Sequence, residues 1–225
     1  MSVFHNVKGE GTMEVRMTPL IVSALVAGCT ATAMADFQGI SWTESTSEYG
    51  VTYQIFVDVE AGDQVNAVYG DGDNALSIES NNGFFQAAFG QATVAGMNPA
   101  LFGFFPSLLA DSFVTIGLET NVGNAMLDIG IDFTGFEAGG GIWTDNGSWF
   151  ATPDDAQVYA VGDQVLIGQF TVADGDGVIG TINLQGKNAD GSNWSISGVE
   201  FNTIPAPGAL ALLGLAGVAA RRRRK

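Results

Sequence analysis

Between Asp36 and Ala220 the chain has no cysteine, no histidine and one basic side chain, Lys187. Each absence removes a class of chemistry. Without thiols this stretch holds no disulfide and no thiolate nucleophile. Without imidazole it holds neither a Ser-His-Asp triad nor a His- or Cys-ligated zinc site. A single cation cannot neutralise a run of phosphates, so nucleic acid is excluded as its partner. Carboxylates are what it has instead. Of the 24 acidic residues in the chain only Glu10 and Glu14 lie outside, which leaves 22 against Lys187 and a net charge of −21. Charged residues are still only 14 % of the 225, and the segments between them are rich in Val, Ile and Phe, a composition that folds rather than stays disordered.

The remaining cations sit near the ends: Lys8 and Arg16, then Arg221, Arg222, Arg223, Arg224 and Lys225. Met13 to Ala35 reads MEVRMTPLIVSALVAGCTATAMA. A charged start, an apolar run and Ala33-Met34-Ala35 before Asp36 are the three regions of a secretory signal peptide. The expectation is a helix removed after Ala35, with the first twelve residues an over-long start before an initiator at Met13 or Met17. Val26-Ala27-Gly28-Cys29 offers a competing site, a lipobox in which Cys29 is lipidated.

At the other end Ile204-Pro205-Ala206-Pro207 leads into GALALLGLAGVAA and then RRRRK. The thirteen apolar residues rise about 20 Å as a helix, short of a hydrocarbon core of about 30 Å. A short apolar segment closed by cations reads as a transient membrane association, with the cations held cytoplasmic. Pro205 to Lys225 resembles a PEP-CTERM sorting signal, having Pro-x-Pro, a short Gly/Ala/Leu helix and an arginine-rich tail. It departs from that pattern at Ala206, where the family has Glu. The resemblance covers the tail alone. It implies Pro205, Ala206, Pro207 and Arg221 to Arg224 as the sorting signal, an exosortase-type membrane protease as partner, and export by a bacterium that makes extracellular polysaccharide. Phe102 to Gly117, FGFFPSLLADSFVTIG, resembles a stretch of other exported bacterial proteins of unassigned function.

The expected organisation is therefore a signal peptide at 1–35, a single domain at 36–203 and a sorting signal at 204–225. Within the domain, apolar residues alternate with period 2 over Gly50–Glu60, Gln64–Tyr69, Ala75–Glu79, Phe113–Leu118, Met126–Phe133, Gln164–Val172, Val178–Leu184 and Trp194–Phe201. Alternation of that period is the mark of half-buried strands. Asn-Gly, Asp-Gly and Gly-Gly pairs between them supply tight turns. Asn98 to Leu109 is the one helical candidate, and Gly103 and Pro106 limit it to a turn or two. The expected fold is all-β, an antiparallel sandwich of about eight to eleven strands, with a jelly roll as one arrangement. Gly62-Asp63-Gln64-Val65 recurs as Gly162-Asp163-Gln164-Val165, either as two related hairpins or as one turn–strand solution used twice.

Three chemistries remain open to such a body. Asp71-Gly72-Asp73 and Asp174-Gly175-Asp176 resemble the opening of calcium loops, so Asp71, Asp73, Asp174 and Asp176 are the candidate Ca²⁺ ligands. Neither loop continues as an EF-hand does, and Asp and Gly are also what ordinary hairpin turns select. Trp143 and Trp149 flank Thr144–Ser148; as a hairpin with an odd count they would face one side and stack on sugar rings, although Trp in such folds more often fills a core. A glycosidase needs only two carboxylates, and the adjacent Asp154 and Asp155 make a poor pair if extended.

The first expectation is an exported, non-enzymatic protein of the cell envelope or extracellular matrix with a structural or adhesive role and no cofactor, its acidity a solvated surface. The second is a carbohydrate-binding module of the exopolysaccharide layer, with Trp143 and Trp149 as platform and Ca²⁺ as its one candidate cofactor. The third is a carboxylate-only glycosidase.

Overall fold

The computed structural model describes residues 37–204. The signal-peptide residues Ala33, Ala35 and Asp36, the sorting residues Pro205, Ala206, Pro207 and Arg221 to Arg224, and both expected terminal helices lie outside the described residues. Within them the chain forms eleven strands in two sheets, and all pairings between these strands are antiparallel.

The smaller sheet is built from β1 (Gly39–Ser47), β2 (Gly50–Asp58), β9 (Gln164–Val172) and β5 (Phe113–Val114), in that order. A two-residue loop, Glu48-Tyr49, joins β1 to β2, since Ser47 pairs with Gly50. In β2 the expected alternation is realised: Ile55 and Val57, with Val59 just beyond, are fully buried. β9 is instead buried along nearly its whole length, because the segment before β5 lies against its other face. There the Gln169 side chain donates to the carbonyls of Leu109 (3.2 Å) and Asp111 (2.9 Å), and the Ser112 hydroxyl accepts the Thr171 N–H at 2.9 Å. Asn98 to Leu109 forms short 3₁₀ turns at Pro99–Leu101 and Pro106–Ala110, as its proline and glycine require.

The larger sheet is organised around β10 (Ile179–Lys187). β11 (Asn193–Asn202) runs along one edge of it. Along the other edge β3 (Gln64–Gly70) and β4 (Leu76–Glu79) lie end to end, Tyr69 opposite Asn183 and Ser77 opposite Thr181. Next come β8 (Gly147–Phe150) beside β3 and β7 (Ile142–Thr144) beside β4, again end to end, and β6 (Leu127–Ile129) closes the sheet beyond β8. Gly70 sits where both interrupted strands meet; a Cβ there would run into the Thr144 carbonyl and lie 2.7 Å from the Leu76 nitrogen. Gly180 and Gly186 of β10 leave room for the rings of Phe201 and Trp194, their direct partners on β11. Aromatic cover of this kind restores the contact that strand glycines lack.

One continuous core joins the sheets, drawing Ile55, Val57 and Phe170 from the smaller and Val68, Ile78, Trp149 and Ile182 from the larger. The two Gly-Asp-Gln-Val copies meet beside it. The Val59 N–H donates to the Asp163 carbonyl at 3.0 Å, and the Ala160 N–H to the Asp63 carbonyl at 3.2 Å. Each copy is thus held by the segment preceding the other, one opening β3 in the larger sheet and one opening β9 in the smaller.

Candidate functional site

Trp143 and Trp149 do not form one platform. In β7 the side chains of Ile142 and Thr144 point into the core, so Trp143 between them points out and is 61 % exposed. Trp149 is fully buried, and its Nε1–H donates to the Thr115 carbonyl at 3.1 Å. The expectation treated Thr144–Ser148 as a hairpin loop. β7 and β8 are instead consecutive parts of one interrupted strand, and the break at Asp145-Asn146 shifts the alternation of faces by one residue. The Thr144 hydroxyl holds that break, accepting the Asn146 N–H at 3.1 Å and donating to the Gly130 carbonyl at 3.3 Å.

Direct cross-strand partners share a face, so the register shows what accompanies Trp143 on the outside of the larger sheet. Trp143 stands opposite Ser77, Ser77 opposite Thr181, and Thr181 opposite Glu200. The neighbouring row runs from Glu79 through Ile179 to Asn202. With strands about 4.8 Å apart, the first row spans roughly 14 Å. Ile179, Thr181, Glu200 and Asn202 line a surface groove of about 450 Å³ at the β10–β11 end. Sequence reasoning missed Thr181, Ile179 and Glu200. The signal for the first two was present in β10, where they take the odd positions while the core residues Ile182 and Leu184 take the even ones.

The four candidate calcium ligands are distributed over two turns. Asp71 Oδ1 accepts the N–H groups of Asp73 (3.0 Å) and Asn74 (2.8 Å), the bonds of an Asx turn. Asp176 accepts from the Asn82 N–H at 3.2 Å and from the Asn82 and Asn81 side-chain amides at 2.7 and 3.4 Å. Among the described residues no three or more His, Cys, Asp or Glu side chains converge on a point that could hold a metal ion.

The other singular carboxylates are held by hydrogen bonds or by burial. Lys187, the one cation among the described residues, reaches Asp154 Oδ2 at 3.2 Å. Asp154 Oδ1 also accepts from the Gln64 amide (2.9 Å) and the Tyr159 hydroxyl (3.3 Å). The Gln64 hydrogen bond, followed by Lys187, holds this carboxyl below the ordinary range. Asp155 caps the 3₁₀ turn Ala156–Val158 by accepting the Gln157 N–H at 3.1 Å, so the two adjacent carboxylates serve separate structural ends. Among the described residues Asp111 is the one carboxyl with a strongly raised pKa, about 6, and burial is the main cause. A value like that suits a general acid, but Asp111 is fully buried, and no polymer oxygen can approach it.

The architecture defines a protein of all-β class in which Asp71, Asp155 and Asp176 act as turn and loop acceptors and the outer face of the larger sheet carries an exposed tryptophan beside an open groove. Compared with family models, with curated proteins and with solved structures, the chain matches none.

Proposed function

We propose that the chain is an exported, non-enzymatic protein of the bacterial cell envelope or extracellular matrix, routed by a cleaved leader and a C-terminal sorting signal handled by an exosortase-type protease. Its body is a β-sandwich, for which we propose a jelly-roll-like arrangement, and its role is structural or adhesive. The observation that carries the reading is the contrast between body and ends. A −21 interval with one cation is flanked by an apolar leader and by an apolar tail that ends in five cations. Two sheets on one core support a self-contained folded body between those signals. The test is the intact mass of the protein recovered from its producer, together with its fraction. A chain beginning at Asp36 and ending near Pro207, found in envelope or matrix, supports the proposal. A chain that keeps Arg221 to Lys225 in the cytoplasmic fraction refutes it, and one beginning at a lipidated Cys29 replaces the matrix reading with a membrane-held protein.

The exposure of Trp143 favours a second reading compatible with the first, in which the body binds extracellular polysaccharide. Trp149 has no part in it.

A further inference from the structure

We infer that the outer face of the larger sheet, from Trp143 across Ser77 and Thr181 to Glu200, is a binding site for glycans that carry free amino groups. The inference rests on the polysaccharide-binding reading and specifies its site and ligand class.

Three observations converge on this face. The first is Trp143 itself, 61 % exposed on a strand and so able to offer its ring face to a pyranose or to a cation. The second is the row that begins at it. Ser77 and Thr181 are its successive cross-strand neighbours, followed by the carboxylate of Glu200, and the groove of about 450 Å³ lies at the far end. An aromatic plate, two hydroxyls and a carboxylate in one line match a short saccharide, whose rings have apolar faces and hydrogen-bonding edges. The third is charge. Glu79 and Glu200 are both exposed on this face, and the one basic side chain among the described residues is committed to Asp154. An anionic glycan meets only repulsion here. A protonated amine gains both from the indole quadrupole and from the carboxylates.

The site is made of surface residues, so its variants keep the fold. The experiment is calorimetric titration of the full-length chain at about pH 6. Salt is held at about 0.15 M, so that diffuse attraction to the acidic body is screened beyond about 8 Å. The probes are β-1,4-linked glucosamine oligomers, the same oligomers N-acetylated, and an oligouronate. Expected are binding of the glucosamine oligomers about tenfold tighter than of the acetylated ones, no binding of the oligouronate, and loss of both positive signals in Trp143→Ala. Glu200→Gln should weaken the glucosamine oligomers alone, while Glu44→Gln on the other sheet should change nothing. Equal affinity for the amino and acetylated oligomers overturns the ligand class. Unchanged binding by Trp143→Ala, or equal losses in Glu200→Gln and Glu44→Gln, overturns the site. None of these results bears on export, which the mass and fraction of the native protein test separately.

Discussion

Asp111 offers a quantitative test of how the body tolerates its own acidity. Its Oδ1 accepts the Ala87 N–H at 2.7 Å, while Oδ2 has no partner among the described residues. Gly90 packs so tightly against the carboxyl that a Cβ there would overlap it. Burial lifts the pKa from 3.8 to about 6; the Ala87 N–H bond and, more weakly, the nearby but unbonded backbone N–H groups of Gln91 and Ser112 pull it down, and the Glu137 charge pushes it up. In the unfolded chain the group titrates near its ordinary value. Between about pH 4 and pH 6 the folded protein therefore keeps a proton that the unfolded chain has released, and stability falls as pH rises through that window. One pKa unit is about 1.4 kcal/mol, so the displacement from 3.8 to about 6 amounts to at most about 3 kcal/mol.

Asp111→Asn isolates that contribution. Asparagine keeps the acceptor for the Ala87 N–H and places an amide where the protonated carboxyl has its hydroxyl, so it imitates the neutral form at every pH. Urea unfolding at about 0.5 M salt, which shortens the reach of the −21 repulsion, should show wild type losing up to about 3 kcal/mol from pH 4 to pH 7. The variant should lack that loss. At pH 4 the two should lie within about 1 kcal/mol of each other, and at pH 7 the variant should be the more stable. Buried substitutions usually destabilise, which makes this outcome specific. Parallel pH curves for the two proteins, or an Asp111→Asn variant weaker than wild type at pH 7, would refute the reasoning.

Three further outcomes follow from the geometry. Gly70→Ala should cost about 3 kcal/mol or more in urea unfolding, because the new methyl meets backbone on both sides of the strand break, where no side chain can move aside. Trp149→Phe should lose about 1–3 kcal/mol, from the hydrogen bond to the Thr115 carbonyl and from the volume left behind; glycan titration should stay unchanged, since the residue is fully buried. Exchanging millimolar Ca²⁺ for chelator at fixed ionic strength should leave the thermal midpoint unmoved, because Asp71 and Asp176 already serve as turn and loop acceptors; a clear rise with Ca²⁺ would show that the Asp-x-Asp turns bind it after all.

How far the sequence could be read depended on whether burial or a distant partner decides a residue's place. β2 and β10 were legible because their core faces repeat every second residue, and β9 and β11 because theirs do so on either side of one shift, between Ile167 and Phe170 and between Ile196 and Val199. β1 was not: along Gly39–Ser47 it is exposed or only half buried, and it is kept by its ladder to β2 and by bonds such as Ser41 to Asp58 at 2.6 Å, which leave no apolar pattern. The alternation over Met126–Phe133 predicts a longer strand than the observed Leu127–Ile129, and Gly130, at φ +72°, is what turns the chain out of the sheet. The tryptophan pair failed for a related reason. Counting residues across Thr144–Ser148 assumes a hairpin, whereas a two-residue break in one strand reverses the faces. The row from Trp143 to Glu200 depends on three separate pairings, β7 with β4, β4 with β10 and β10 with β11, and each is set by core residues on the opposite face of the sheet. Asp111 is the extreme case. Nothing distinguishes it in the chain from the other fourteen aspartates; its raised pKa exists only because the folded chain closes around it. Strand content follows from local pattern, then, while the chemistry of this surface and of buried Asp111 follows from which strands meet.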